Sequence, residues 1–223
     1  MELLKFKLFT PTACFKTPFS VKGIETYPLP PYSTIIGLLY TALGRKWQGE
    51  RFSLSLQGTY GAIFRDYIRF RKYNFRDEEL QSLPISVPLF YRFELTVHIR
   101  AQRELLEEFK KALEKPSTYL FLSGGEYPVK VKTLGFVRAE ERQFTRRQSL
   151  GLKADALIPE DIAERLGKVL GGEGIYYKMP FFLKSLEPRE HEWVSVYHYP
   201  KGTSFQGNIL IDEEGDTVWL CGS

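Results

Sequence analysis

The run TYPLPPYSTIIGLLYTALG at residues 26–44 constrains this chain most, because it sets a stiff approach, a helix and a helix stop within nineteen residues. Pro28, Pro30 and Pro31 each lock their own φ and hold the preceding residue extended, so the chain reaches Tyr32 straight. Ser33 has the side chain for an N-cap, and Gly44, just past the last apolar residue, suits the left-handed C′ position. A helix of about three turns is predicted between them. Its apolar residues Ile35, Ile36, Leu38, Leu39, Ala42 and Leu43 spread over more than half the circumference, which predicts packing on more than one side. The tyrosines and prolines ahead of it, Tyr27 among them, are expected at its positive end, where backbone N–H groups favour an anion such as a phosphate. A core helix behind a proline-rich loop would account for the same residues.

Hydrophobic residues make up 43% of the 223, enough for a true core in one large domain or two small ones. A net charge of +4 is too mild to name a partner by itself. Cys14 and Cys221 lie at opposite ends and match no disulfide framework or metal-ligand spacing, which favours a reducing cytoplasm. MELLKFKLF at the N-terminus has neither the apolar run nor the cleavage site of a signal peptide, and no segment is apolar for long enough to span a bilayer. A soluble, cytoplasmic protein without membrane contact is expected.

Residues 2–10 alternate with period two and read as a strand. Residues 11–31, with Lys16 and Lys22, form a loop longer than compact domains usually carry without a purpose, and are read as a binding loop. Residues 52–65 read as a kinked or bulged strand because of Gly58 and Gly61. The next stretch, RDYIRFRKYNFR at residues 65–76, is the most informative polar segment. Extended, it places Arg65, Tyr67, Arg69, Arg71 and Tyr73 on one face, with Lys72 beside them. Its charge of +4 equals that of the whole chain. Guanidinium groups grip phosphates in pairs of hydrogen bonds and tyrosine rings stack on bases, the chemistry that single-stranded RNA recognition requires.

Residues 77–88 read as a hairpin tip or flexible arm, and residues 89–100 as a strand with Phe93, Leu95, Val97 and Ile99 inward. His98 then falls on the outward face with Glu94, Thr96 and Arg100, as a surface histidine. An amphipathic helix is predicted over residues 102–115, ended by Pro116. Gly124 and Gly125 sit between two short strands where backbone can approach a ligand closely, but no Walker-type lysine follows them. LGFVR at residues 134–138 faintly resembles an RNA-recognition signature without its other aromatics, and is read as an ordinary strand. Residues 128–154 gather Lys130, Lys132, Arg138, Arg142, Arg146, Arg147 and Lys153 against two glutamates, a second patch of +5 that leaves −5 for the rest of the chain. Positive charge is thus concentrated in two places. A helix is predicted over residues 160–170, then four strands making a small antiparallel sheet.

The order strand, helix, strand, strand, helix, strand is that of ferredoxin-like and RNA-recognition domains. The N-terminal strand, the TYPLPPYSTIIGLLYTALG block, the long hairpin region and YLFLSGGEYPV, in that order, resemble the CRISPR-associated RAMP proteins of the Cas five family, most nearly its type I-B branch. The resemblance covers about the first 140 residues well and the remainder loosely. It implies an α+β fold: a ferredoxin-like, RRM-like RAMP domain over residues 1–138 with a β-hairpin thumb at about 67–90, and a small antiparallel β-rich C-terminal domain over 139–223. It further implies that the chain caps the 5′ handle of the crRNA in a Cascade complex, beside the backbone and large subunits, and meets target DNA only indirectly. Lys16, Lys22, Tyr27, Arg65, Tyr67, Arg69, Arg71, Lys72, Tyr73, Gly124, Gly125, Arg142, Arg146 and Arg147 are the RNA-binding candidates.

A catalytic reading needs a placed acid and base, and only His98, His191 and His198 are present. One branch of the resembled family cleaves precursor crRNA without metal, so endoribonuclease activity is the alternative, but no Tyr, Lys and His trio here forms a recognisable motif. No cofactor is implied. No close cluster of acidic residues and histidines with metal-ligand spacing stands out. A stand-alone RNA-binding regulator would share the charge pattern.

Overall fold

The computed structural model describes residues 1–18, 24–74, 78–123 and 125–222. Strand β1 (Glu2–Ala13) leads through the proline loop to helix α1 (Tyr32–Leu43). Strands β2 (Ser53–Thr59), β3 (Ala62–Asn74) and β4 (Glu79–Arg100) follow, then helix α2 (Arg103–Glu114). After the short hairpin β5 (Phe121–Leu122) and β6 (Tyr127–Pro128) comes the long strand β7 (Lys130–Phe144). The remainder comprises β8 (Leu150–Gly151), β9 (Asp155–Pro159), the single turn α3 (Glu160–Ala163), β10 (Gly167–Leu170), β11 (Ile175–Leu186), β12 (Arg189–Tyr199), β13 (Ser204–Asp212) and β14 (Thr217–Val218).

Helix α1 starts two residues earlier than Ser33 capping predicts. Pro31, at φ −57° and ψ 149°, is the N-cap, and its carbonyl accepts the Thr34 N–H at 2.9 Å, so Ser33 already lies in the first turn and caps nothing. Gly44 closes the helix at φ 70°, as expected. The helix is covered on two sides: Tyr40 meets Phe109 of α2 edge-on at 5.7 Å, and Tyr32 meets Phe181 of β11 at 5.2 Å. This overturns one expectation about the helix start. Tyr32 is fully buried and Tyr27 is 5% exposed, its hydroxyl donating to the Lys178 carbonyl at 3.1 Å, so these rings are anchors and not surface groups.

Twelve strands form one sheet with the central order β7-β1-β4-β2, each neighbour antiparallel. Leu4, Phe6 and Leu8 of β1 and Phe93, Leu95, Val97 and Ile99 of β4 face the helices and are buried, as their period-two spacing dictates. The register of β4 carries straight from β2 into β3, with Ser53 opposite Arg100 and Ala62 opposite Tyr91, so the break at Tyr60 and Gly61 is a kink without a slip. Opposite it, Arg92 sits at φ 51°, a conformation costly for a side-chain-bearing residue. Residues 79–88, expected as a tip, are strand: β3 and β4 pair all the way from Ala62↔Tyr91 to Asn74↔Glu79 as a long two-stranded arm.

The separate C-terminal sheet expected from the sequence is instead continuous with the first. Strand β13 joins it through β7, and β9 joins through β2. The boundary expected at 138/139 falls inside unbroken β7, where its partner changes from β1 (Glu2↔Arg138) to β13 (Asp212↔Ala139). The sheet curls so that β9 and β13, from its two halves, bring Ala156, Ile158, Phe205, Ile209 and Ile211 into one cluster with Trp219, which follows β14. The helix expected over residues 160–170 is only α3; β10 instead pairs with β13, and Gly167 fits because a Cβ there would lie 2.4 Å from the Gln206 amide nitrogen.

Part of the polar face of the central sheet is also buried. The segment leading to Cys221 lies over it: Ser55 Oγ accepts the Trp219 N–H at 2.9 Å, and Thr217 donates to Gln57 Oε1 at 2.8 Å. His98, expected at the surface, is completely buried there. Period-two alternation signals two chemically different faces, not which of them meets water, and here a second layer satisfies the polar one.

Candidate nucleic-acid interface

The β3–β4 arm carries Arg65, Tyr67, Arg69, Arg71 and Tyr73 on one face, all exposed, with Tyr67 at 73% and Tyr73 at 46%. Across the ladder they face Pro88, Ser86, Pro84, Ser82 and Leu80, so no carboxylate stands opposite a guanidinium. Arg65 reaches Ser86 Oγ at 3.4 Å, whereas Arg69 and Arg71 have no ion-pair partner among the described residues. The one acid in this segment, Asp66, belongs to the other face and accepts the Tyr67 N–H at 2.8 Å. Ser86 turns its carbonyl outward to the Ile24 N–H at 3.3 Å, so Pro84 and Pro88, in step with it, remove the outward-facing N–H at those two positions. A strand edge without those donors resists pairing with another strand, which keeps the arm free for side-chain recognition.

Not every predicted residue joins this surface. Lys16 lies at the same end of the sheet, its loop bridged at Thr26 and its ammonium 3.2 Å from Glu126 beside the glycine turn. There Gly125 adopts φ 87° in open space, and Ser123 φ 55°. Lys22 and Gly124 lie outside the described residues, and Lys72 is placed only by its backbone, opposite Gln81. Tyr27, being buried against Tyr177, offers no face to a base. Arg142, Arg146 and Arg147 are exposed, but lie beyond the Glu2 end of β1, while the arm springs from its Ala13 end. Twelve strand residues, about 40 Å, separate these three arginines from the arm along β1. Arg142 is moreover held by Glu140, and Lys132 by Glu94 at 2.5 Å.

The three histidines occupy three separate settings. His98 Nε2 is 3.0 Å from Asp212, and His198 Nε2 is 3.2 Å from Asp155, both pairs buried. His191 is half-buried, and burial with the nearby Arg189 lowers its pKa. His98 is also lowered by burial, so it is neutral and its Nε2–H donates to ionised Asp212.

Sequence reasoning missed the network around Lys5. Its ammonium lies 2.5 Å from Asp212, 2.7 Å from Glu214 and 2.7 Å from Asp216, although Lys5 is only 4% exposed. Burial works against that charge, yet the three carboxylates outweigh it and raise the pKa above the ordinary lysine value. These carboxylates have metal-ligand spacing, with oxygens within 4.8 Å of one another, and the Lys5 ammonium fills the position between them. The signal was present in the acid spacing of DEEGD at residues 212–216. What could not be read was that β1 supplies the cation.

The family model described as CRISPR-associated protein (Cas_Cas5) matches residues 3–201. A search of curated proteins finds no match. Among solved structures, a CRISPR protein from Archaeoglobus fulgidus is similar over the whole of both chains, at 12% identity and a TM-score of 0.58. A chain of a CRISPR RNA-guided surveillance complex is similar over 90% of this chain and 91% of its own, at 12% identity and a TM-score of 0.56. A chain of the Type III-B Cmr-beta complex bound to cognate target RNA and AMPPnP is similar over 92% of this chain and 86% of its own, at 10% identity and a TM-score of 0.52. At these identities the structures share a fold, mostly antiparallel sheet with few helices, and the match of residues 3–201 supplies the family: the chain belongs to the CRISPR-associated protein (Cas_Cas5) family.

Proposed function

We propose that this chain is a non-catalytic crRNA-binding subunit of a CRISPR effector complex, holding the 5′ handle of the guide with the Arg65–Tyr73 face of the β3–β4 arm. The observation that carries the reading is the coincidence on that face of two arginines without an ion-pair partner among the described residues and two exposed tyrosines, on a strand pair whose outer edge carries two prolines. In this reading the β7-β1-β4-β2 arrangement with α1 and α2 is the ferredoxin-like core, the arm is the thumb, and the complex is a type I Cascade, nearest type I-B. The backbone and large subunits are its protein partners, and target DNA is met only through the guide.

Binding without cleavage is the outcome to test. Purified protein incubated with labelled precursor repeat, with and without chelator, is expected to leave the RNA intact and to bind the mature handle. Site-specific cutting abolished by changing His98, His191 or His198 would establish the endoribonuclease alternative instead.

The arm makes a second expectation specific. Tyr67→Ala should weaken handle binding by about 1–3 kcal/mol, the worth of one stacked base, and Tyr67→Phe should recover most of it. Equal losses in the two variants, measured by fluorescence anisotropy, would assign the contact to the hydroxyl and not the ring.

A further inference from the structure

Strands β3 and β4 leave the central sheet for the arm with a reversal of the pleat. Residues on one face of a strand lie an even number apart. Phe93 and Phe90 of β4, three apart, nevertheless both enter the helix-covered core and both pack on Phe15, with ring centroids at 5.1 and 5.8 Å. The neighbouring chain does the same: Gly58 backs onto the Phe93 ring, and Ile63, five residues on, pairs with Phe90. Because both strands reverse together, Thr59 still faces Glu94 and Ala62 still faces Tyr91. Between the two phenylalanines, Arg92 takes the left-handed φ of 51°, a conformation that costs a side-chain-bearing residue free energy the surrounding structure must offset. Burial of Phe90, 1% exposed, supplies that offset while Tyr91 turns outward, 49% exposed. Gly61, standing across from Arg92, carries no Cβ and donates its N–H to the Tyr91 carbonyl at 2.8 Å.

We infer that Arg92 is a positioning residue, whose left-handed backbone decides on which side of the sheet the basic and aromatic face of the arm lies. From Phe90 the even-numbered positions Pro88, Ser86, Pro84 and Ser82 share its face, and across from them stand Arg65, Tyr67, Arg69 and Arg71. In a β4 without the reversal, Tyr91, Leu89 and Val87 would continue the face of Phe93, and the arginines would pass to the opposite side. The Arg92 side chain is exposed and has no ion-pair partner among the described residues, so the fold uses its backbone and not its guanidinium. The inference rests on the RNA-binding reading of the arm for what that face holds; the reversal itself does not depend on it.

Nitroxides on Tyr67→Cys and Lys111→Cys in the full-length protein report the orientation of the arm, since both sites are exposed while Cys14 and Cys221 are buried. Handle binding is measured in the unlabelled chains. Asparagine and glycine adopt positive φ readily, so Arg92→Asn and Arg92→Gly should keep the wild-type distance and affinity, with a melting temperature that holds or rises by up to about 4 °C. Arg92→Val, whose β-branched side chain opposes that conformation, should change the distance and weaken binding at least about tenfold. Adding Arg69→Ala/Arg71→Ala to it should then cost little more, because the face is already displaced. A lower melting temperature in both Arg92→Asn and Arg92→Gly, or the affinity loss of Arg92→Val in either, would overturn the inference, and these two variants decide it even where Arg92→Val fails to fold. Wild-type distance and affinity in Arg92→Val would overturn it equally. If the distances respond as expected but wild type binds no RNA, the pleat reversal stands and the RNA-binding reading of the arm falls.

Discussion

Lys5→Met is expected to cost about 3–5 kcal/mol of folding stability, the range found when one partner of a buried charged group is removed. The substitution keeps most of the apolar stem, so the loss isolates the ammonium. Without it, Asp212, Glu214 and Asp216 face one another, with His98 at 3.0 Å from Asp212 and Lys7 and Lys153 at 3.7 Å and 3.6 Å from Asp216. The pH dependence distinguishes this from a packing defect. Burial alone would raise the pKa of Asp212, but hydrogen bonds from His98, Lys5 and the Asp216 N–H hold it well below the carboxylate range; Asp216, likewise opposed by burial, is lowered by Lys5. A carboxylate depressed in the folded state contributes its full stabilisation above the unfolded pKa of about 3.9 and loses it as pH falls toward the folded value. In Lys5→Met the same carboxylates repel, so acid relieves the variant while it weakens the wild type. Urea titrations over a pH series should therefore show the largest gap near neutrality and a narrowing gap below about pH 4. A gap independent of pH would show that pairing of the ammonium with the carboxylates does not carry the loss.

What could be read from the chain followed what is local. Pro31 and Gly44 bound a helix whose spread of apolar residues correctly required cover on two sides, and both neighbours, α2 and β11, are present. Period-two spacing placed Arg65, Tyr67, Arg69, Arg71 and Tyr73 on one face, because register within a strand needs no knowledge of its partner. The failures share a different cause. Tyr27 and Tyr32 look like presented rings until β11, about 150 residues later in sequence, supplies Tyr177 and Phe181 to cover them. His98 and Lys5 look solvated until the last turn of the chain brings Asp212 over them. Charge counting also misled in part: the second basic patch is real in sequence, but pairing to Glu140 and Glu94 engages Arg142 and Lys132, and β1 holds Arg146 and Arg147 a strand's length from the arm. Non-local partners decide whether a polar residue is free, and no periodicity encodes them.

Arg69→Ala with Arg71→Ala is expected to weaken binding of the crRNA handle by about a hundredfold or more at low salt, since each charged hydrogen-bonding contact contributes about 1.5–3 kcal/mol. The expectation is sharp because both side chains are exposed and neither has an ion-pair partner among the described residues, so their removal leaves the fold with nothing unpaired. Binding should fall while the melting temperature holds. Each phosphate contact on a single strand contributes about 0.7 to the slope of log affinity against log salt, so the double variant should flatten that slope by about 1.4. Lysine at both positions should keep the slope, because charge is conserved, yet recover only part of the affinity, because an ammonium cannot reproduce the two-pronged grip of a guanidinium. Three arms measured by anisotropy over a salt series separate charge from geometry. Alanine variants with unchanged affinity and slope would remove the arm from the RNA interface. Recovery by lysine to the full wild-type affinity would leave it there as an electrostatic rail, with recognition assigned to the tyrosines between the cations.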